Sequence, residues 1–494
     1  MLYDDTIAAI ATPPGAGGVG VVRVSGREAL PILERMFVPA RPGHWCPFRL
    51  RYGHVVAPGG ETVDEALAAF FRGPHSFTAE DVAEISCHGG PLVLQQVLGL
   101  ALQHGARLAT PGEFTMRAFL NGRLDLTQVE ATLDIINART NAALALAQQQ
   151  LAGWLSQELR RVREALLGAL AYCTALVDFP EDEIDPQEVA APVTEALRTV
   201  ERLQASADQG IVYRQGARAA IVGLPNAGKS SLLNALLRAD RAIVTPVPGT
   251  TRDTLEETAN LCGVPVVLVD TAGITETADP IERIGVGRSR QALAAADLVL
   301  LVVDITQPVG DAERAVAALT EGKPTVLVWN KVDLLPTNDE RRTTNDERRT
   351  TNDERRTTND ERRTTGDGRR TTAGERWPMD NGVSLRDEPF AATVAVSALT
   401  GEGLEALAHA VAGLLLGGEV AADGQLVTNP RHRDALGRAA GHLRDALAGH
   451  ARGVPADLLA VDLTAALSAL GEITGETVGE DLLDTIFSRF CIGK

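Results

Sequence analysis

The sequence predicts a multidomain protein: an α+β N-terminal domain, then a discontinuous all-helical domain with an α/β domain inserted between its two halves. Three observations predict this. Nearly continuous apolar runs at 219–222, 264–270, 298–304, 325–329 and 393–396 suit a parallel sheet buried on both faces. Apolar residues at helical spacing both precede and follow that block. The residues up to 118 instead mix short β-like runs with one helix under heavy Gly and Pro punctuation. At 494 residues the chain exceeds what one core organises.

Composition narrows the class. Lys and Arg number 47 against 65 Asp and Glu, a net charge of -18, which argues against coating nucleic acid through a general positive field. A local basic patch stays open. No positively charged leader opens the sequence and no run of eighteen apolar residues occurs, so a soluble, cytoplasmic protein without a membrane is expected. The five cysteines, Cys46, Cys87, Cys173, Cys262 and Cys491, are scattered without a CxxC pair, which argues against a disulfide framework or a zinc site. Four read as buried small apolar residues, whereas Cys491 sits in a short C-terminal tail.

In chain order, the domain 1–118 has β-like runs at 20–24, 65–71 and 81–86 and a helix from Pro91. Arg23, His75, Glu80 and His88 flank these runs, and for each a solvated or structurally paired role is the plain reading. The first helical part, 119–210, carries Val129, Leu133 and Ile136, then Leu151, Leu155, Leu159, Val162 and Leu166 on one face. It stops at Phe179-Pro180. Asp185-Pro186-Gln187-Glu188 resembles a capped helix start, and two helices are expected up to Gly210. The α/β part, 211–417, contains Thr337-Asn-Asp-Glu-Arg-Arg-Thr343, repeated from 344, 351 and 358 and degraded from Thr365. No repeat position is apolar, so no coiled-coil seam exists; 337–390 reads as a surface insertion and linker. Helical patterns resume in 418–494.

The α/β part carries the chemistry. Gly223-Leu-Pro-Asn-Ala-Gly228-Lys229-Ser230 joins a strand to a helix and reads as a phosphate-binding loop. Backbone N–H groups of Asn226, Ala227, Gly228 and the helix start at Ser231 face a polyphosphate, Lys229 adds charge, and the Ser230 hydroxyl suits Mg²⁺. Thr250-Thr251-Arg-Asp253 is a switch with hydroxyls for the metal, while Asp270 and Gly273 end a second strand near the γ phosphate. Asn330-Lys331-Val-Asp333 ends another strand, where the Asp333 carboxylate accepts both N–H donors of a guanine edge. Ser397-Ala398-Leu399 closes the base pocket. Five such segments in order identify a guanine-nucleotide-binding, Ras-like P-loop GTPase domain. Ile274 stands where Ras-like enzymes place a Gln that orients water. Asn226 with the 245–250 backbone for a monovalent cation, and Glu282 for water, offer a substitute; solvated loop roles remain the alternative for each.

Further motifs lie outside that module: 18–23, 79–90, 111–126 and the terminal Cys491-Ile-Gly-Lys494. With them, nearly the whole chain resembles the MnmE (TrmE) family of tRNA-modification GTPases. The resemblance implies an N-terminal domain that forms a homodimer and binds a tetrahydrofolate one-carbon derivative, with 5-formyl-tetrahydrofolate as a bound analogue. It implies a heterotetramer with a flavin-dependent MnmG-type subunit, and tRNA whose wobble uridine gains a carboxymethylaminomethyl or aminomethyl group. On matching positions it makes Asn226, Thr245, Val247 and Thr250 ligands of K⁺, Ser230 and Thr251 ligands of Mg²⁺, and Glu282 the water-orienting residue. Arg23, Glu80, Arg123 and Lys494 match folate contacts, and Cys491 matches a cysteine implicated in modification chemistry. Some members have Lys at the position of Arg123. A ribosome-associated assembly GTPase, which would share the five nucleotide motifs, is the alternative reading.

Overall fold

The computed structural model describes residues 5–179, 187–239, 257–270, 293–335, 390–418 and 424–494. The chain divides into two compact units. The first comprises Met1–Arg214 and Ala422–Lys494, with Thr245–Asp253 outside the described residues; the second holds the rest.

In the first unit, β1 (Ile7–Ile10), β2 (Gly17–Ser25), β3 (Phe37–Pro39), β4 (Leu50–Val56), β5 (Thr62–Phe71), β6 (Val82–Gly89) and β7 (Arg107–Leu108) form a sheet in the order β3-β4-β5-β6-β2-β1-β7. Neighbours run antiparallel except β1 and β7. The period of two decides what each face carries. Ala8, Val22, Val24, Ala83 and Ile85 point into a core closed by helices Ala29–Met36 and Pro91–Gln103. Ile7 and Ala9 point the other way, into a small cluster with Ala109, Phe114 and Phe77. Sequence patterning expects one helix here. Ala29–Met36 and Glu113–Leu120 are two more, each only eight residues and too short to show a helical period.

The helices Leu126–Asn137, Asn141–Leu151, Trp154–Asp178 and Ala190–Gln215 precede the inserted module, and Pro430–Ala451, Ala456–Thr474 and Glu480–Phe487 follow it. Both halves share one core, where Leu159, Leu166, Val200, Leu203, Leu436, Leu443, Leu463 and Leu470 are essentially fully buried. Asp125 starts the first of these helices with a complete capping box to Gln128. Trp154–Asp178 ends at Phe179 as expected.

Two expectations need correction. The helix after the acidic break begins at Ala190, not beside Pro186: Gln187, Glu188 and Val189 are not helical, and Asp185 lies outside the described residues. Pro192 sits in the first turn instead, where its missing N–H costs nothing. A single helix, not two, runs through Gly210 to Gln215. Gly210 is there because the backbone carbonyl of Val427 occupies the space a Cβ would need.

The second unit holds β8 (Ala217–Val222), β9 (Glu257–Leu261), β10 (Val264–Asp270), β11 (Leu298–Asp304), β12 (Thr325–Asn330) and β13 (Ala392–Ala395), ordered β13-β12-β11-β8-β10-β9. All pairs are parallel except β9 with β10, an edge hairpin with the two-residue turn Cys262-Gly263. The central strands are buried on both faces, which explains their unbroken apolar runs. The repeat insertion lies outside the described residues. Of the four cysteines expected to be buried, Cys87 and Cys173 are; Cys46 is exposed in the loop before β4, and Cys262 is half-buried because its turn lies at the sheet edge. No helix among the described residues is long and apolar enough to cross a membrane.

Candidate functional site

β8, β10 and β12 deliver their C-terminal ends to one edge of the second unit's sheet, where parallel strands of an α/β fold present ligand-binding loops. β8 ends at Val222, the loop follows, and helix Lys229–Ala239 begins two residues before the start expected at Ser231. Asn226 takes a left-handed backbone (φ +66°) and leaves its side chain exposed; Ala227 is buried. Gly228 (φ +91°) is required, because a Cβ there would strike Asn330 Nδ2. Lys229 is 8% exposed, and its Nζ donates to the Gly223 and Leu224 carbonyls, each at 2.9 Å. Burial pushes Lys229 below its ordinary pKa, with the Asp270 charge working against that. A cation held by two neutral carbonyls is suited to accept an anionic phosphate.

The Ser230 hydroxyl donates to Asp270 Oδ2 at 2.8 Å, while Asp270 Oδ1 is buried with no hydrogen-bond partner among the described residues. A hydroxyl beside a carboxylate with an unspent oxygen fits a hard divalent cation such as Mg²⁺. Ser231, on the first turn of that helix, is exposed.

Asn330 ties the phosphate loop to the base loop. Its Nδ2 donates to the Ala227 carbonyl at 2.9 Å and its Oδ1 accepts from Ala398 N at 3.1 Å. Ser397, fully buried, donates its hydroxyl to Asp333 Oδ1 at 2.6 Å and accepts from Thr400 N, so it fixes the Asp333 carboxylate. Lys331 Nζ reaches Asp304 Oδ2 at 2.6 Å, and Asp304 Oδ1 accepts from the Thr306 backbone and hydroxyl. Burial would raise the Asp304 carboxyl; Lys331 and Thr306 more than reverse that and hold it low. Asp304 was missed in the sequence, although it ends its strand as Asp270 does. Thr245, Val247, Thr250, Thr251, Gly273, Ile274 and Glu282 lie outside the described residues, so of the residues expected to bind cations only Asn226 and Ser230 are among the described ones.

Two of the N-terminal candidates, Arg23 and Arg123, meet at a ring that sequence reading does not single out. Alternation sends Arg23 to the face of β2 opposite Val22 and Val24, across from Ala9 on β1 and Glu84 on β6. Its guanidinium pairs with Glu84 at 2.8 Å and lies 5.4 Å from the centre of the Phe77 ring and 5.7 Å from that of Phe114. Arg123 lies 5.2 Å from the same Phe77 ring and donates to the Phe77 carbonyl at 2.8 Å. Two guanidiniums thus share one aromatic ring. Lys494 belongs to the tail, where Gly493 lies against the Ile10 carbonyl and Gly112 N donates to the Cys491 carbonyl at 3.4 Å. Ile10 adjoins Ala9, the cross-strand neighbour of Arg23, so the tail reaches the same end of β1. Cys491 is exposed.

Glu80 is less free than its sequence context implies. It accepts from the Ser25 hydroxyl at 2.7 Å and from Arg117 Nη1 at 3.2 Å. Arg117, 1% exposed, also binds Asp5 at 2.6 Å and Glu113 at 3.0 Å, and Arg107 completes the cluster on Glu113 at 2.5 Å. Burial would raise the Glu113 carboxyl, but Arg107, the Thr110 N–H and Arg117 outweigh it and lower it. His88, exposed, pairs with Asp64 at 2.7 Å, and His75 is exposed.

Comparison with known proteins agrees with this architecture. The family model for the GTP-binding protein TrmE N-terminus matches residues 6–123, and that for the MnmE helical domain matches residues 126–491. A protein of Roseiflexus sp. (strain RS-1) named tRNA modification GTPase MnmE is 63% identical over 494 residues, covering all of both chains. One of the same name from Chloroflexus aurantiacus is 55% identical, covering 99% of this chain and all of its own. Among solved structures, a variant of Aquifex aeolicus Era bound to GDP·AlF4⁻ is 24% identical over 46% of this chain and 66% of its own, at a TM-score of 0.27, too low to bear on function. Matched along its whole length, the chain belongs to the MnmE (TrmE) family, whose curated members carry the name tRNA modification GTPase.

Proposed function

We propose that this protein is a cytoplasmic tRNA modification GTPase. With a flavin-dependent MnmG-type partner it adds a carboxymethylaminomethyl or aminomethyl group to C5 of the wobble uridine of certain tRNAs. The observation that carries this reading is that similarity to MnmE proteins covers the outer domains as well as the module with the nucleotide motifs. In domain terms, 1–118 dimerises and binds the tetrahydrofolate one-carbon derivative through Arg23, Glu80, Arg123 and Lys494. Residues 119–210 and 418–494 form the helical domain around the GTPase domain 211–417.

In hydrolysis, water attacks the γ phosphorus and the bond to the β–γ bridging oxygen breaks, leaving GDP and phosphate. Lys229 and the backbone N–H groups of 226–231 neutralise charge on the β and γ phosphates. Ser230 and Thr251, with Asp270 nearby, would hold Mg²⁺, which would neutralise phosphate charge, and the Gly273 N–H would serve the γ phosphate. Asp333 accepts from guanine N1–H and N2–H, with Asn330, Lys331, Ser397 and Ala398 shaping that pocket. Glu282 orients the water that a Gln at Ile274 would otherwise hold. Asn226, Thr245, Val247 and Thr250 would hold K⁺, whose charge would stabilise the transition state when GTPase domains dimerise. Replacing K⁺ by Na⁺ is therefore expected to lower turnover strongly, and equal rates in both salts would remove the cation. Cys491, exposed on the tail, serves the modification step.

Nucleoside analysis of tRNA from a strain lacking this gene tests the reading. The account expects loss of the wobble modification, restored by the wild type and not by Asp270→Ala. Unchanged modified nucleosides, with the protein copurifying with ribosomal subunits, would turn the assignment to an assembly GTPase.

A further inference from the structure

Among the described residues the chain passes between the helical domain and the inserted module twice, and one helix face holds both connections. The chain leaves the first unit after Arg214 and is back in it where the described residues resume at 424. Arg214 is the last-turn base of helix Ala190–Gln215, and only Gly216 separates that helix from β8, which runs directly into the phosphate loop. The returning segment lies on the same helix: the Val427 carbonyl sits against Gly210, and Val427 N donates to the Ser206 hydroxyl at 3.2 Å. Helix Leu126–Asn137 presents Glu130 and Asp134, four residues apart and so on one face. Asp134 takes the outgoing crossing, accepting from Arg214 Nε at 2.7 Å. Glu130 takes the returning one, accepting from Arg431 Nη2 at 2.8 Å and facing His432 Nε2 at 2.7 Å.

We propose that Glu130 and Asp134 are positioning residues that clamp the outgoing and returning connections of the GTPase module to one helix face. A change at the nucleotide loop then reaches the helical domain through Arg214. The proposal rests on the GTPase reading above and adds to it the route of coupling.

The two ends of the clamp differ in strength. Glu130 is fixed: burial would raise its carboxyl, but His432 and Arg431 hold it down at about 2. Burial keeps His432 itself below its ordinary value. Asp134 is poised: burial pushes its carboxyl up to about 6, outweighing Arg214, and the Glu130 charge adds to the rise. Around Asp134 the charged groups are Arg214 from the outgoing helix and Glu130 from its own, with Arg431 and His432 of Pro430–Ala451 behind Glu130. Helix Asn141–Leu151 contributes Ala143, Leu146 and Ala147, which carry no charge. A cavity of about 30 Å³, room for one water, lies between these residues, Arg214 and Thr428, so the pair can open without repacking a core.

Amide hydrogen exchange of the full-length protein, with and without a non-hydrolysable GTP analogue and Mg²⁺, tests the clamp. The proteins compared are the wild type, Asp134→Asn, Arg214→Met and, as control, Arg444→Gln, which breaks an exposed bridge to Glu201 between the same two long helices. In the wild type and Arg444→Gln, the analogue is expected to change exchange in 126–137 and 430–436 by about fivefold or more; in the two clamp variants, by less than about twofold. Basal GTP turnover of Asp134→Asn is expected within about twofold of wild type.

Acidification should imitate the variant. As pH falls through about 6, Asp134 protonates and the wild-type response, corrected for intrinsic exchange, shrinks, while Asp134→Asn stays flat. A carboxyl raised above the ordinary aspartate value contributes stability that is present at low pH and lost as pH rises through about 6. Asp134→Asn should therefore unfold no lower than wild type at pH 8, which separates a lost signal from a damaged fold. An undiminished response in Asp134→Asn, or wild-type binding of the analogue with no response in these helices, would overturn the clamp alone. Failure of the wild type to bind the analogue would overturn the GTPase reading and the clamp with it.

Discussion

The phosphate-loop segment and the Phe77 platform are built in opposite ways. In the loop the backbone carries the geometry: β8 and helix Lys229–Ala239 set the N–H directions, and Lys229 donates to two carbonyls. At Phe77 the geometry is carried by side chains from β2 and the 121–125 turn, with a buried ion cluster behind Glu80. A backbone site depends on the fold as a whole and on a few residues that permit close approach. A side-chain site depends on supports that never touch the ligand.

That contrast can be broken at its strongest support first. Arg117→Met leaves Glu80 and Asp5 without their shared buried cation and is expected to cost about 3 kcal/mol, the lower end for breaking a buried pair because Arg107 still holds Glu113. Denaturant unfolding measures it. The sign with pH follows from the lowered Asp5 and Glu113 carboxyls: their stabilisation is present above the ordinary carboxylate range and lost as pH falls through their folded values. The wild-type advantage over Arg117→Met should therefore shrink on acidification, and a pH-independent gap would exclude the charge account.

Phe77→Ala removes the ring shared by Arg23 and Arg123 and is expected to weaken binding of 5-formyl-tetrahydrofolate about tenfold. GTP turnover without folate should not move, and titration calorimetry with a GTPase assay reads both. Unchanged folate affinity would place the one-carbon site elsewhere. The smallest effect is expected from deleting residues 337–371, which should leave hydrolysis within about twofold, because shortening a loop between two strands changes closure entropy little. A large fall in a folded deletion would give the repeat a function.

The same contrast explains what could be read from sequence. Strand–loop–helix punctuation made the nucleotide loop, Asp270, Asn330, Asp333 and Ser397 legible, because each sits where a strand of the parallel sheet ends or just beyond it. Phe77 was not legible: nothing in Ser76-Phe77-Thr78 marks an aromatic that two distant arginines will share. Arg117 lies in the 111–126 motif, yet its burial among Asp5, Glu80 and Glu113 needs the sheet register and Glu113–Leu120 together. The late helix start at Ala190 and the continuity through Gly210 escaped because Pro186 and a glycine are ordinary signs of a boundary. Tertiary contact with Val427 gave Gly210 a different purpose. Asp134 and Arg214, 80 residues apart, pair across helices and have no local signature.

The central claim is that the nucleotide read by Asp333 drives a tRNA modification, and exchanging the base tests it directly. Asp333→Asn replaces two accepting oxygens by one acceptor and one donor, which matches the N1–H and O2 of xanthine instead of the N1–H and N2–H₂ of guanine. Modification is measured with the flavin-dependent partner, the one-carbon donor and unmodified tRNA. The account predicts that Asp333→Asn modifies tRNA with XTP at least about a hundredfold better than with GTP, the reverse of wild type. Modification by Asp333→Asn that proceeds equally with either nucleotide, or with none, would contradict it.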